Sequence, residues 1–122
     1  MLNEDFEFIT PDHTISEIDK YEGEIIEKAK ITREEFGVLM SIIFERIDVI
    51  PYEDYNYFFE ESRLLISDVK DIPFIALCLA LNADGIWSND AHFLEQKRIK
   101  IFKTGDLTNM FRENERVINI ND

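Results

Sequence analysis

The stretch that decides the fold is DVKDIPFIALCLALNADGIWSND, Asp68 to Asp90. It opens on a polar turn, Asp68 to Asp71, and Pro73 then begins a strongly apolar helix. Proline suits a first helical turn because its missing N–H would have no partner there anyway. Phe, Ile, Ala, Leu and Cys follow without a polar break to Asn82, and a helix apolar all round is a buried one. Gly85-Ile-Trp87 reads as a buried-type strand that stops abruptly at Ser88-Asn89-Asp90. A buried helix leading into a short buried strand is the unit of an α/β fold with a parallel sheet.

Upstream the same alternation of elements continues. Phe6-Glu-Phe-Ile9 alternates and predicts a short strand. Thr10 and Pro11 predict the N-cap and first residue of a helix. Ile15, Ile18, Ile25, Ile26 and Ala29 form one face of it, and Glu17, Tyr21, Glu24 and Lys28 another. Thr32-Arg-Glu-Glu35 fits a capping box, opening a second helix with an apolar face of Phe36, Leu39, Ile42, Ile43 and Ile47. Val49-Ile50 predicts a strand, and Tyr52 to Leu65 a third, aromatic-rich helix. Downstream, Asp90 to Glu95 predicts a short helix and Ile99 to Phe102 a strand carrying lysines. Thr104 caps a last helix, and the tail, residues 112–122, alternates weakly, as a strand or as disorder. With no repeat or linker in view, residues 1–122 read as one domain.

Composition narrows the classes. The 122 residues are enough for one core, and 45% apolar content with ten Phe argues against disorder. Cys78 is alone in its apolar run, so no internal disulfide forms, which suits a reducing cytoplasm. The longest apolar stretch, Ile72 to Leu81, is about half a membrane span, and no signal peptide is visible. The expectation is a cytoplasmic protein without a membrane partner. Net charge is −13, and residues 1–60 hold sixteen acids against five bases. Broad nonspecific nucleic-acid binding is disfavoured, since phosphate attraction needs Lys and Arg. A metal site or a basic partner fits such a balance. The one basic cluster is Lys97, Arg98, Lys100 and Lys103, either an RNA-phosphate contact or an edge strand's guard against aggregation.

Each acid has an ordinary reading. Asp90 can cap the helix after its strand, Asp71 can open its helix, Glu17 can be a solvated surface acid and Asp68 can serve the turn. Taken together they can also converge at the carboxyl edge of one sheet, where α/β folds bind ligands. Crowded carboxylates raise one another's pKa unless a cation neutralises them. Mg²⁺ or Mn²⁺ held by carboxylates and waters can orient a water and stabilise charge on a phosphodiester being hydrolysed. No nucleophile triad, zinc spacing, phosphate loop or dinucleotide motif competes. His13 and His92 read as surface or capping residues, and Trp87 as core.

These residues resemble the PIN domain family, which includes VapC-type toxins. The resemblance is densest in Asp68 to Asn82 followed by Gly85 to Phe93: an Asp opening an Ile/Ala/Leu-rich helix, then a strand ending in Ser-x-Asp. Ile9 to Ile18 and Ile99 to Leu107 resemble further strand–helix units, so the resemblance spans about residues 2–111. It implies a three-layer α/β/α sandwich with a parallel sheet, and a Mg²⁺- or Mn²⁺-dependent ribonuclease cutting RNA. Carried over by position, Glu17, Asp71 and Asp90 are the catalytic and metal-binding acids, with Ser88, Asn89 and Asp68 in support. A toxin-like member would also bind an antitoxin protein.

The family's first strand, apolar-apolar-Asp-x-Asn, has no counterpart before Phe6. The resemblance therefore implies a sheet without its N-terminal, central strand and without the first acid. Val117 to Ile120, or exchange between protomers of a homodimer, could close such a sheet. Two functions stay open: a metal-dependent ribonuclease, or an inactive PIN-like fold serving as a protein-interaction module.

Overall fold

The computed structural model describes residues 6–110. Strand β1 (Phe8–Pro11) pairs parallel with β2 (Ile47–Ile50), with Phe8 opposite Ile47 and Pro11 opposite Ile50. Strand β3 (Ile86–Trp87) pairs parallel with β4 (Ile101–Phe102). Between β1 and β2 run helices α1 (His13–Ala29) and α2 (Arg33–Phe44). Short α3 (Phe59–Arg63) and apolar α4 (Ile72–Leu81) join β2 to β3, and α5 occupies 104–110. The parallel strands and intervening helices are those of a PIN-like α/β fold.

The predicted α4 forms because two cores meet on it. Ile75 and Cys78 face Ile66, Phe93 and Ile99, with Ile86 and Ile101 of the β3–β4 pair against them. Ala76 and Leu77 face Tyr55, with Ile9 and Ile50 of the β1–β2 pair against them. A helix packed on two sides has no polar stripe, which is why its sequence lacks one. It ends at Asn82, a residue tolerant of the left-handed region, at φ 52°. Gly85 then lets β3 approach β4: a Cβ there would lie 2.5 Å from the Lys100 carbonyl oxygen and 2.7 Å from the Phe102 ring.

Several expectations are corrected. Thr10 and Pro11 belong to β1, not to a helix start, because the β1–β2 ladder runs on until the Asp12 amide donates to the Ile50 carbonyl at 3.0 Å. The Thr10 hydroxyl instead meets that of Thr14 at 2.7 Å. Residues 52–65 do not form one helix. The Asp12 carboxylate accepts from the Tyr52 amide (2.9 Å) and the Tyr55 hydroxyl (2.5 Å), holding this segment in two 3-10 turns before α3. Tyr55 is 1% exposed and its environment raises its pKa, through burial first and the Asp12 carboxylate second.

The capping box of α2 is present in full: the Glu35 amide donates to the Thr32 hydroxyl and the Thr32 amide to the Glu35 carboxylate. Its apolar face is another matter. Only Phe36 is buried, while Leu39, Ile42 and Ile43 are exposed and Ile47 sits in β2. No residue of α1 is buried either. Apolar spacing forms these helices, but no described element covers their outer side. Trp87 is 54% exposed rather than core, its indole N–H donating to Thr104 at 3.0 Å. The last strand starts at Ile101, with Ile99 buried in the turn before it. Among the described residues the parallel strands form two separate pairs with no ladder between them. The tail and Val117 to Ile120 lie outside the described residues.

Candidate metal centre

Two short segments build the site, the turn into α4 and the turn after β3, and each acid's local role follows from its backbone. Asp68 precedes a 3-10 turn (Val69–Asp71) and caps it, accepting from the Lys70 amide at 3.0 Å. Asp71 follows at the entry to α4, yet its side chain makes no cap hydrogen bond. Proline at the start of α4 leaves fewer free N–H groups for it to accept from. Asp90 stands just past β3 and accepts from the His92 amide at 2.9 Å, while its own amide donates to the Ser88 hydroxyl at 3.0 Å. That pair of bonds turns the chain sharply and brings the His92 ring back over the acids.

The result is a cluster of donors. One ligand atom each from Asp68, Asp71 and His92 lie within 4.8 Å of one another. His92 Nδ1 is 3.6 Å from an Asp90 oxygen and 3.9 Å from an Asp68 oxygen. Asp71 is the buried member, 8% exposed, and its Oδ2 is enclosed without a hydrogen-bond partner. Burial raises its pKa, the Asp68 and Asp90 charges raise it further, and His92 pulls it back. A buried carboxylate oxygen without a donor costs free energy that a cation would recover. Oxygen donors with one imidazole, one of them unsatisfied, fit a divalent ion.

The other expected residues stand apart from this cluster. Glu17 lies one turn along α1 from His13, its carboxylate 3.2 Å from the imidazole. The His13 ring packs edge-on against Phe74, which packs edge-on against Phe93, and Glu17 is not among the donor atoms that converge with Asp71. Asn89 clasps the start of α5, donating to the Thr104 hydroxyl at 2.9 Å and accepting from its amide at 3.0 Å. Among the basic residues, Arg98 pairs with Glu61 and Lys100 covers the Phe102 ring at 4.9 Å. Lys97 and Lys103 are exposed. His92 is the residue that sequence reasoning passed over. Its place two residues after Asp90, in a turn that Asp90 itself caps, is the signal that could have found it.

The whole arrangement fits one comparison. The PIN domain family model matches residues 1–107. The chain belongs to the PIN domain family. No curated protein and no solved structure matches the chain closely enough to name beside it. The family is known for nuclease activity, and PIN domains generally use divalent metals, which agrees with the acid cluster of this member. No helix of the described residues is long and apolar enough to cross a membrane.

Proposed function

We propose that this PIN domain is a metal-dependent endoribonuclease, with Asp71 as the principal ligand and Asp68, His92 and Asp90 around it. The observation that carries the reading is the buried, unpartnered Oδ2 of Asp71 beside two further acids. A bound divalent ion would supply Lewis-acid stabilisation of phosphoryl charge and a more acidic water. The chain's own part is electrostatic. Asp71 places a carboxyl group where solvent reaches it little, and the charges of Asp68 and Asp90 add to the negative potential around it. Asp90 also fixes the turn that presents His92, so its removal would disturb two donors at once. Carboxylates favour Mg²⁺ or Mn²⁺, and the imidazole shifts the preference from Mg²⁺ toward softer transition ions.

The test is cleavage of a labelled single-stranded RNA by the purified chain with Mn²⁺, beside Asp71→Asn. Metal-dependent cleavage that disappears in the variant supports the reading. Cleavage that survives both chelation and the substitution would sink it.

A protein-binding role, as in toxin–antitoxin pairing or a homodimer, is the second reading. The exposed Val38, Leu39, Ile42 and Ile43 of α2 favour it, because an uncovered apolar strip on one helix is a common docking feature. A well-folded chain that binds no Mn²⁺ but gains a partner through this strip would favour this role over hydrolysis.

A further inference from the structure

A cleft of about 600 Å³ opens at the carboxyl end of the β1–β2 pair, and the metal centre makes no use of it. Ile15 of α1, Tyr52 and Phe59 of the segment after β2, and Val69 and Ile72 at the entry to α4 line it. Val69 and Ile72 flank Asp71 in sequence, so cleft and acid cluster share one turn of chain. Tyr52 is 48% exposed, and its ring is fixed by edge contacts to Tyr55 at 5.9 Å and Phe59 at 5.6 Å. Of the polar side chains in the lining, which also include His13 and Ser16, two bear on a ligand most directly. Arg63 is a cation whose carboxylate partner, Glu60, is exposed. Asp12 is an acceptor locked by the Tyr52 amide and the Tyr55 hydroxyl.

RNA bound to this protein faces a charge problem. With a net charge of −13, general attraction for phosphate is absent. Affinity must then come from the metal and from contacts to bases. Flat aromatic surface beside a cation is what an unpaired base and its phosphate need. A locked carboxylate can accept from base N–H groups.

We infer that this cleft binds an unpaired base of single-stranded RNA against Tyr52, and so selects which phosphodiester faces the acids. The inference rests on the ribonuclease reading for its ligand, but not on turnover. Bound length is set by the chain between cleft and acids, so cleavage would fall at a fixed offset from the captured base.

The experiment is fluorescence anisotropy of the full chain with a short labelled single-stranded RNA, with Ca²⁺ replacing Mn²⁺ to hold the acids without turnover. Tyr52→Ala should weaken binding by about 5- to 150-fold, the range of one lost base stack. Tyr52→Phe, which keeps the ring, should bind close to wild type. An independent series uses the unaltered protein and RNAs with single abasic positions, and one position should reproduce the loss. An abasic strand that binds as tightly as the intact one overturns the inference, as does binding of a free mononucleotide but not of the strand. Base-dependent binding without cleavage under Mn²⁺ would sink the hydrolase reading and leave the cleft assignment standing. Cleavage with no base dependence would do the reverse.

Discussion

At the residue scale, Asp71 carries an internal conflict. Its fold buries it beside two like charges and gives one oxygen no donor. Its folded pKa is therefore above the ordinary 3.8. The unfolded chain gives up this proton first, so stability falls as pH rises from about 3.8 through the raised folded value, and the loss persists above it. Asp71→Asn removes the charge and keeps the shape. In metal-free buffer the variant should match wild type at low pH and be the more stable of the two at pH 7, by urea unfolding across the range. A divalent ion should reverse the order, raising the wild-type melting temperature and leaving the variant's unchanged. A variant less stable than wild type at neutral pH without metal would mean that Asp71 is a satisfied structural acid.

At the element scale, α2 and α4 share apolar composition but differ in what surrounds them. Ile75 of α4 is fully buried in the cluster it shares with Ile66, Phe93 and Ile99, and Ile75→Ala should cost about 2–5 kcal/mol in chemical denaturation. Ile42 of α2 is 55% exposed, and Ile42→Ala should change the stability of the free chain by no more than about 0.5 kcal/mol. A large cost at Ile42 would show that something covers this face in solution. The helix still starts where its capping box dictates, so Thr32→Ala should cost about 0.5–2 kcal/mol. Gly85→Ala should destabilise the β3–β4 pair, because the new methyl would collide with the Lys100 carbonyl and Phe102.

At the scale of the whole molecule, α4 is the joint between the two strand pairs, and each pair has an edge that no described strand covers. Successive N–H groups of a strand point to opposite sides. The amides of Ile86 and Ser88 donate to Lys100 and Phe102 of the neighbouring segment, so the Trp87 amide points away from β4. Hydrogen exchange should therefore find Trp87 much faster than Ile86 and Ser88. Equal protection at all three would mean that another strand lies against β3 in solution.

The sequence by itself determined the elements whose causes are local or overwhelming. A capping box satisfies its own backbone donors within four residues. The Asp71–Asn82 run can be nothing but a buried helix, and Asp90 caps its turn through its own neighbours. Only the tertiary structure decided the rest, because those outcomes depend on distant partners. Asp12, forty residues from Tyr52, breaks the predicted third helix into turns. The ladder to β2 claims Thr10 and Pro11 before a helix can. Apolar spacing drew a face on α2, but periodicity carries no information about whether another element arrives to cover it. The acids at the carboxyl edge were legible as types and spacings. That Asp71 loses its donors while Glu17 keeps His13, and that His92 turns back onto Asp68, follows from where packing leaves each side chain.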